Sequence, residues 1–253
     1  MINRYPILNI WADSVTQQQA LEQLDRFINS GDRLHTIFSA NPEKNYSVPT
    51  DPDLYLAFKG SDLLLPDGIG VVLALRFIHH IKIQRLPGCE FMHNICAHAQ
   101  EHGYNIFIYG AKEEVNTGAV NKLTHLYPDL KIVGHCHGYW PDENMDQLVN
   151  QINNSNAQIL FLALGSPKQE QWIEKYRSQL TTVRVCQGIG GTLDVVYGNV
   201  KRAPQFFCRY GLEWLYRLST EPKRITRQWV LPLFAAQLFS LKIKSALTGK
   251  APC

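Results

Sequence analysis

Five short segments of the chain place glycine or proline beside polar side chains directly after an apolar run. They read Ser39-Ala-Asn-Pro-Glu43, Pro66-Asp-Gly-Ile-Gly70, Gly110-Ala-Lys112, Gly165-Ser-Pro-Lys-Gln169 and Gly188-Ile-Gly-Gly-Thr-Leu-Asp194. Their chemistry is that of hydroxyl, amide and carboxylate groups held on tight turns. Gly188, Gly190 and Gly191 are small enough for backbone amides to approach a phosphate. The spacing is not G-x-G-x-x-G and no Walker pattern occurs, which disfavours a classical dinucleotide or nucleoside-triphosphate site. A turn requiring positive φ accounts for these glycines equally well from spacing alone. The polar residues also have local roles open to them. Asn41 before Pro42 fits a helix N-cap, Ser166 with Gln169 fits a capping box, and Asp67 before Gly68 fits a cap of the following helix.

Metal chemistry has little support. His135-Cys136-His137 is the densest run of ligand types, and two histidines on one strand face do not make a site. The six cysteines contain no C-x-x-C pair and read as reduced, mostly buried small hydrophobes.

The elements that must position the five segments follow from periodicity. Strands are expected at 34–39, 62–65, 105–109, 131–134, 158–164 and 182–187. Amphipathic helices are expected between them at 16–29, 68–79, 89–101, 113–127, 145–153 and 167–176. This alternation predicts an α/β fold, a Rossmann-like, mostly parallel sheet with helices on both faces. In such sheets ligands sit beyond the carboxyl ends of the strands, where all five segments would converge. Capping alone does not explain that convergence. Composition agrees with a folded chain: 253 residues, 45 % hydrophobic and 19 % charged, with no apolar stretch long enough to span a bilayer. The N-terminus lacks a basic region followed by an apolar run, so a cytosolic location is expected.

Charge is divided unevenly. From Lys201 onward there are ten Lys and Arg against Glu213 and Glu221, a net +8, while the preceding 200 residues carry −5. A basic tail on an acidic body predicts contact with phosphate or an anionic surface. We therefore expect an α/β domain over 1–204 and a basic helical appendage over 205–253. The appendage divides into helices at 205–218 and 224–247, broken at Glu221-Pro222.

The ordered motifs resemble the WecG/TagA/CpsF family of bacterial glycosyltransferases. The matching pieces are Ser39–Glu43, Leu65–Val72, Arg85-Leu-Pro-Gly88, Leu164–Trp172, Gly188–Asp194 with Gly198 and Lys201–Pro204, and Gly211–Arg217 followed by Glu221–Arg224. The resemblance implies transfer of N-acetylmannosamine, its uronic acid or glucose from a UDP-sugar to an undecaprenyl-diphosphate-linked sugar. The setting would be the inner face of the cytoplasmic membrane, in cell-surface polysaccharide synthesis. It further implies inversion at the anomeric carbon, no metal or other cofactor, and oligomers that loosen at the membrane. Asp67 would be the general base. Ser39, Asn41, Arg85 and Gln169 would line the pocket, with Asp194 near the nucleotide beside Gly190 and Gly191; Gly110 is a further substrate-binding candidate. Departures are Ser39 for the commoner Thr, Cys89-Glu90 for Ser-Asp and Leu193 for Phe, and they leave the donor sugar open.

Asp51-Pro-Asp53 is formally D-x-D, which in some glycosyltransferases holds a metal at the donor diphosphate; here Pro52 after Asp51 favours a capped helix start. Arg217, Arg224 and Arg227 are candidates for the lipid diphosphate. The second tail helix, with Trp229, Val230, Leu231, Phe234, Leu238, Phe239 and Leu241, is expected to dock at a membrane interface rather than on the protein's own core. The alternative to an enzyme is a non-catalytic UDP-sugar-binding module of a polysaccharide assembly complex. A nucleic-acid partner is disfavoured, because the tail's aromatics do not interleave with its arginines.

Overall fold

A computed structural model of the chain describes residues 2–200, 203, 204, 206, 207, 212–220 and 229–248. A hairpin comes first, β1 (Asn3–Ile7) and β2 (Ile10–Ser14), antiparallel. The chain then alternates: α1 (Gln17–Ser30), β3 (His35–Ala40), the short α2 (Lys44–Ser47), α3 (Pro52–Lys59), β4 (Leu63–Pro66), α4 (Ile69–His79), α5 (Gly88–His102) and β5 (Asn105–Gly110). There follow α6 (Glu113–Leu126), β6 (Lys131–Cys136), α7 (Met145–Asn154), β7 (Ile159–Ala163), α8 (Lys168–Tyr176), β8 (Val185–Gly188) and α9 (Thr192–Tyr197). The appendage contributes α10 (Glu213–Thr220) and α11 (Val230–Thr248). All six expected sheet strands form, and the β1–β2 hairpin, which carries no strong turn signal in its Leu8-Asn9 tip, is an addition.

The six strands order as β4-β3-β8-β7-β5-β6, and every pair is parallel. Alternate strand residues enter opposite layers, as the two-residue period of a strand requires. Phe38, Leu64, Phe107, Leu160 and Cys186 join the layer containing α3, α4, α7 and α8. Ile37, Leu63, Ile106, Phe161 and Val185 join the layer of α1, α5, α6 and α9. Strands β3, β4, β7 and β8 are almost wholly buried, the edge strand β4 included, which explains their continuous apolar sequence.

Cys96, Cys136 and Cys186 are buried free thiols and Cys89 is partly exposed. Burial pushes the Cys96 thiol up to about 12, so it is inert at neutral pH. Cys208 and Cys253 lie outside the described residues. Among the described residues no helix is long and apolar enough to cross a membrane.

Candidate active site at the carboxyl ends of β3, β4 and β8

The site begins where β3 and β4 end side by side, with Ser39 paired to Leu65 and Ala40 to Pro66. The backbone amide of Asp67 donates to Ala40 O at 3.0 Å, which turns the chain out of β4 at a fixed angle. The Asp67 carboxylate does not cap α4. Gly68 holds the N-cap position with φ +84°, and Asp67 Oδ2 instead accepts the Gly88 amide at 3.2 Å. Gly88 is compelled to be glycine here, because a Cβ would overlap Ser39 Oγ and come within 3.9 Å of Asp67 Oδ2. The Ser39 hydroxyl, the Asp67 carboxylate and the start of α5 therefore meet. Behind them Gln187 Nε2 donates to Gly88 O at 2.9 Å, tying β8 to the same point.

Asn41 does act as a local cap, its Oδ1 accepting the Lys44 amide at 3.1 Å. Its Cβ also lies 4.0 Å from the position a Cβ on Gly68 would take, so cap and site coincide. Arg85 approaches from the α4–α5 connection. Its Nη1 donates to Glu213 Oε2 of α10 at 3.0 Å, and Glu90 lies 4.0 Å from its Nη2. Burial works against the Arg85 cation. The hydrogen bond and charge of Glu213, with the charges of Asp67 and Glu90, outweigh it and raise its pKa above the ordinary arginine value.

On the β7–β8 side, Ser166 and Gln169 do not form a capping box. Pro167 is the N-cap of α8 with no side-chain cap, and its bond to Ser166 is cis. Gln169 is buried and turns toward the glycine loop, its Oε1 accepting the Gly190 amide at 3.1 Å. Gly188 must lack a side chain because a Cβ would lie 2.5 Å from Gln169 Nε2. Gly190 has φ +53° and open space where a Cβ would stand, so both the turn and the open approach apply to it. Asp194 sits in the first turn of α9, its Oδ2 3.9 Å from a Cβ placed on Gly191.

A buried ion pair closes the two halves of the site together. Lys44 Nζ meets Glu170 Oε1 at 2.8 Å and bonds Ser166 Oγ, with the Phe58 ring 4.8 Å away. Glu170 is 1 % exposed, and its Oε2 has no partner among the described residues. Sequence reasoning missed Lys44, Glu170 and Glu213 as site-builders. Their signal was present, since each lies inside a quoted motif or directly after one.

Gly110 stands apart. At φ +129° its missing Cβ lets the end of β5 pass Ala163, and its carbonyl accepts from Asn116 Nδ2. It shapes the sheet edge and does not join the cluster around Asp67. Asp51 caps α3, its Oδ1 accepting the Asp53 and Leu54 amides at 3.0 and 3.1 Å, so the D-x-D carboxylate serves the helix start. Arg224 and Arg227 lie outside the described residues, as does the Arg217 side chain.

Sequence comparison decides the family. The profile of the glycosyl transferase WecG/TagA/CpsF family matches residues 5–247. The chain belongs to this family. It is 38 % identical over 199 residues to an N-acetylglucosaminyldiphosphoundecaprenol N-acetyl-beta-D-mannosaminyltransferase of Bacillus subtilis (strain 168), covering 79 % of this chain and 77 % of that protein. Proteins of the same name from Bacillus spizizenii and Staphylococcus aureus (strain MRSA252) are 35 % and 33 % identical. The alignments cover 83 % and 94 % of this chain and 80 % and 93 % of those proteins. Every motif assembled around Asp67 lies within the span matched to this glycosyltransferase family.

The appendage meets this site from one side. Phe234 and Leu238 of α11 are buried against α4, and Phe234 lies 3.5 Å from a Cβ placed on Gly70. Gln237 Oε1 accepts from Asn45 Nδ2 and Tyr46 Oη at 3.2 Å. Phe239 meets Phe77 edge-on and Lys242 Nζ lies 4.0 Å from the Phe77 ring centroid. The expectation of a helix free of the protein's own core is thus corrected: one side of α11 packs on the body. Trp229, Leu233, Phe239 and Ile243 remain exposed.

Proposed function

We propose that this chain is an inverting glycosyltransferase that moves N-acetylmannosamine from UDP to N-acetylglucosamine on undecaprenyl diphosphate, in cell-surface polymer synthesis and with no metal taking part in the transfer. The observation that carries this reading is the Asp67 carboxylate, fixed by the Gly88 amide beside the Ser39 hydroxyl and within the field of Arg85. The printed names of the relatives support the donor sugar and the lipid-linked acceptor.

Asp67 takes the proton of the acceptor hydroxyl as that oxygen bonds the anomeric carbon. The bond from this carbon to the diphosphate oxygen breaks, and UDP departs with the electron pair. Arg85 supplies positive charge where that negative charge develops. Ser39, Asn41 and Gln169 line the sugar pocket, and Asp194 stands by the nucleotide at the Gly190-Gly191 turn. Residues 1–204 form the catalytic domain and 205–253 the appendage. The exposed apolar side of α11 and the +8 charge dock it on the inner face of the cytoplasmic membrane. Arg217, Arg224 and Arg227 of the basic tail are the candidates to bind the lipid diphosphate.

The test is a panel of UDP-sugars against a lipid-diphosphate N-acetylglucosamine acceptor, run with and without EDTA, with the product's anomeric configuration read by NMR. UDP-N-acetylmannosamine should turn over with inversion in chelator. Binding of UDP-sugars without turnover on any acceptor would favour a non-catalytic module. Loss in EDTA restored by Mn²⁺ or Mg²⁺ would overturn the metal-free mechanism.

A further inference from the structure

We propose that Asp25, His98 and His102 form a zinc-class metal site that clamps α1 to α5. One ligand atom from each of the three lies within 4.8 Å of the others, the single such trio of His, Cys, Asp and Glu side chains among the described residues. His98 and His102 are four residues apart on α5 and share a helix face, their rings stacked at 3.9 Å. Asp25 comes from α1, its Oδ1 2.7 Å from His98 Nε2.

The second observation is how the outer nitrogen of one ligand is already committed. His102 Nδ1 lies 2.9 Å from the His98 carbonyl, which can only accept, so Nδ1 carries the proton and Nε2 presents its lone pair outward. That is how protein ligands fix an imidazole for a metal, through a hydrogen bond on the other ring nitrogen. Asp25 is steadied in the same way, its Oδ1 accepting from Tyr104 Oη at 3.0 Å. Neutral imidazole is the form that binds a divalent ion, and two of them here share one helix face with a carboxylate opposite. At present Asp25 Oδ1 can only accept, so His98 Nε2 donates to it at 2.7 Å; a metal at about 2.0–2.1 Å from each nitrogen would displace that proton, part these two atoms by a fraction of an ångström and draw in the rest of a trio that lies within 4.8 Å. Two imidazoles and one carboxylate suit Zn²⁺, Co²⁺, Ni²⁺ or Cu²⁺ and not Mg²⁺ or Ca²⁺.

The place in the fold sets the role. His102 ends α5, and β5 starts at Asn105, so the site lies toward the amino ends of the strands, at the opposite end from Asp67. Asp25 and His98 are partly buried and His102 is exposed, which leaves the trio open to an entering ion. A metal here would act on the α1–α5 contact and not on sugar transfer.

The experiment uses the full chain, freed of metal by chelator and titrated with Co²⁺ for its visible absorption and with Zn²⁺ by calorimetry. One equivalent should bind, and Zn²⁺ should raise the melting temperature, while Mg²⁺ should do neither. His102→Ala should weaken Zn²⁺ binding by at least about tenfold and abolish the thermal shift. Because His102 is exposed, this variant removes no core packing, and its turnover in the donor panel should be unchanged. Asp25→Asn, a near-isosteric change, should weaken binding as well. Absence of one-equivalent binding by the wild type, or unaltered Zn²⁺ affinity in His102→Ala, would overturn the assignment.

Discussion

The βα body and the helical appendage treat their apolar side chains differently. On α5, Phe91, Met92, Ile95, Cys96 and Ala99 are sealed completely by the sheet and its neighbouring helices. Along α11, Phe234 and Leu238 reach a comparable depth, while Leu233, Phe239 and Ile243 stay open to solvent. A stripe of apolar residues on a body helix meets one partner and is satisfied. α11 is apolar on more than one side, and among the described residues one of them, with Phe234 and Leu238, is covered while Leu233, Phe239 and Ile243 are exposed. Burying Phe234 and Leu238 contributes about 1.5–3 kcal/mol each, enough to dock the helix and too little to make it part of the core.

That contrast assigns chemistry to the body, and the sharpest way to break it is Asp67→Asn. We expect kcat to fall by about 10²–10⁴, with UDP-sugar affinity within a few-fold of wild type, because the amide keeps the shape but cannot take a proton. Initial rates beside calorimetric binding check this. Near wild-type turnover would move the general base away from the end of β4.

Lys44→Ala should show that the body's site is also part of its stability. It would leave Glu170, already lacking a partner for Oε2 among the described residues, as a buried charge without its cation. The cost should be about 3–5 kcal/mol, read from chemical denaturation. Replacing both partners with apolar residues of similar volume should recover much of it. A Lys44→Ala chain as stable as wild type would mean that the Lys44–Glu170 pair does not hold the two halves together.

The appendage should be separable. Removing residues from about Gln205 onward cuts no strand of the six-stranded sheet. The shortened chain should stay folded by circular dichroism and bind UDP, yet lose most co-sedimentation with anionic vesicles and most turnover on the lipid-linked acceptor. If it sediments and turns over like the intact chain, α10 and α11 are only a packed helix pair.

The sequence made some of this visible and hid the rest for physical reasons. Buried parallel strands read as continuous apolar runs, which made five of the six legible from Leu34 to Gln187, while the half-exposed edge strand β6 (Lys131–Cys136) was legible only as a short apolar run before Gly134. Local motifs misled where a side chain had a distant partner to choose. Gln169 fits a capping box by spacing, but the Gly190 amide 21 residues away takes its carbonyl oxygen. Asp67 fits a helix cap, but α5 brings the Gly88 amide to it instead. Ligand density along the chain was rightly set aside for His135-Cys136-His137, and it gave no sign of His98, His102 and Asp25, which become neighbours only when α1 packs on α5. The tail's charge and apolar content were legible, and the contact of Glu213 with Arg85 was not, because 128 residues separate them.

That contact joins the appendage to Arg85 of the body, and it supports the smallest of the expected effects. Arg85 is mostly buried, and Glu213 is its one side-chain hydrogen-bond acceptor among the described residues. Glu213→Ala removes that acceptor and frees the guanidinium to rotate away from Asp67, so turnover should fall by about 5–10-fold, in proportion to a charged hydrogen bond that is partly solvated. Glu213→Gln keeps an oxygen in the same place and should recover most of the loss, which a purely electrostatic role would not allow. The truncated chain lacks Glu213 as well, so on a short soluble acceptor, where membrane docking plays no part, it should show the same deficit as Glu213→Ala and no more. A larger deficit would mean that the appendage supplies another group to the reaction. An increase in UDP-sugar affinity in Glu213→Ala would mean that Glu213 competes with the diphosphate for Arg85, making α10 a restraint on the site rather than a brace.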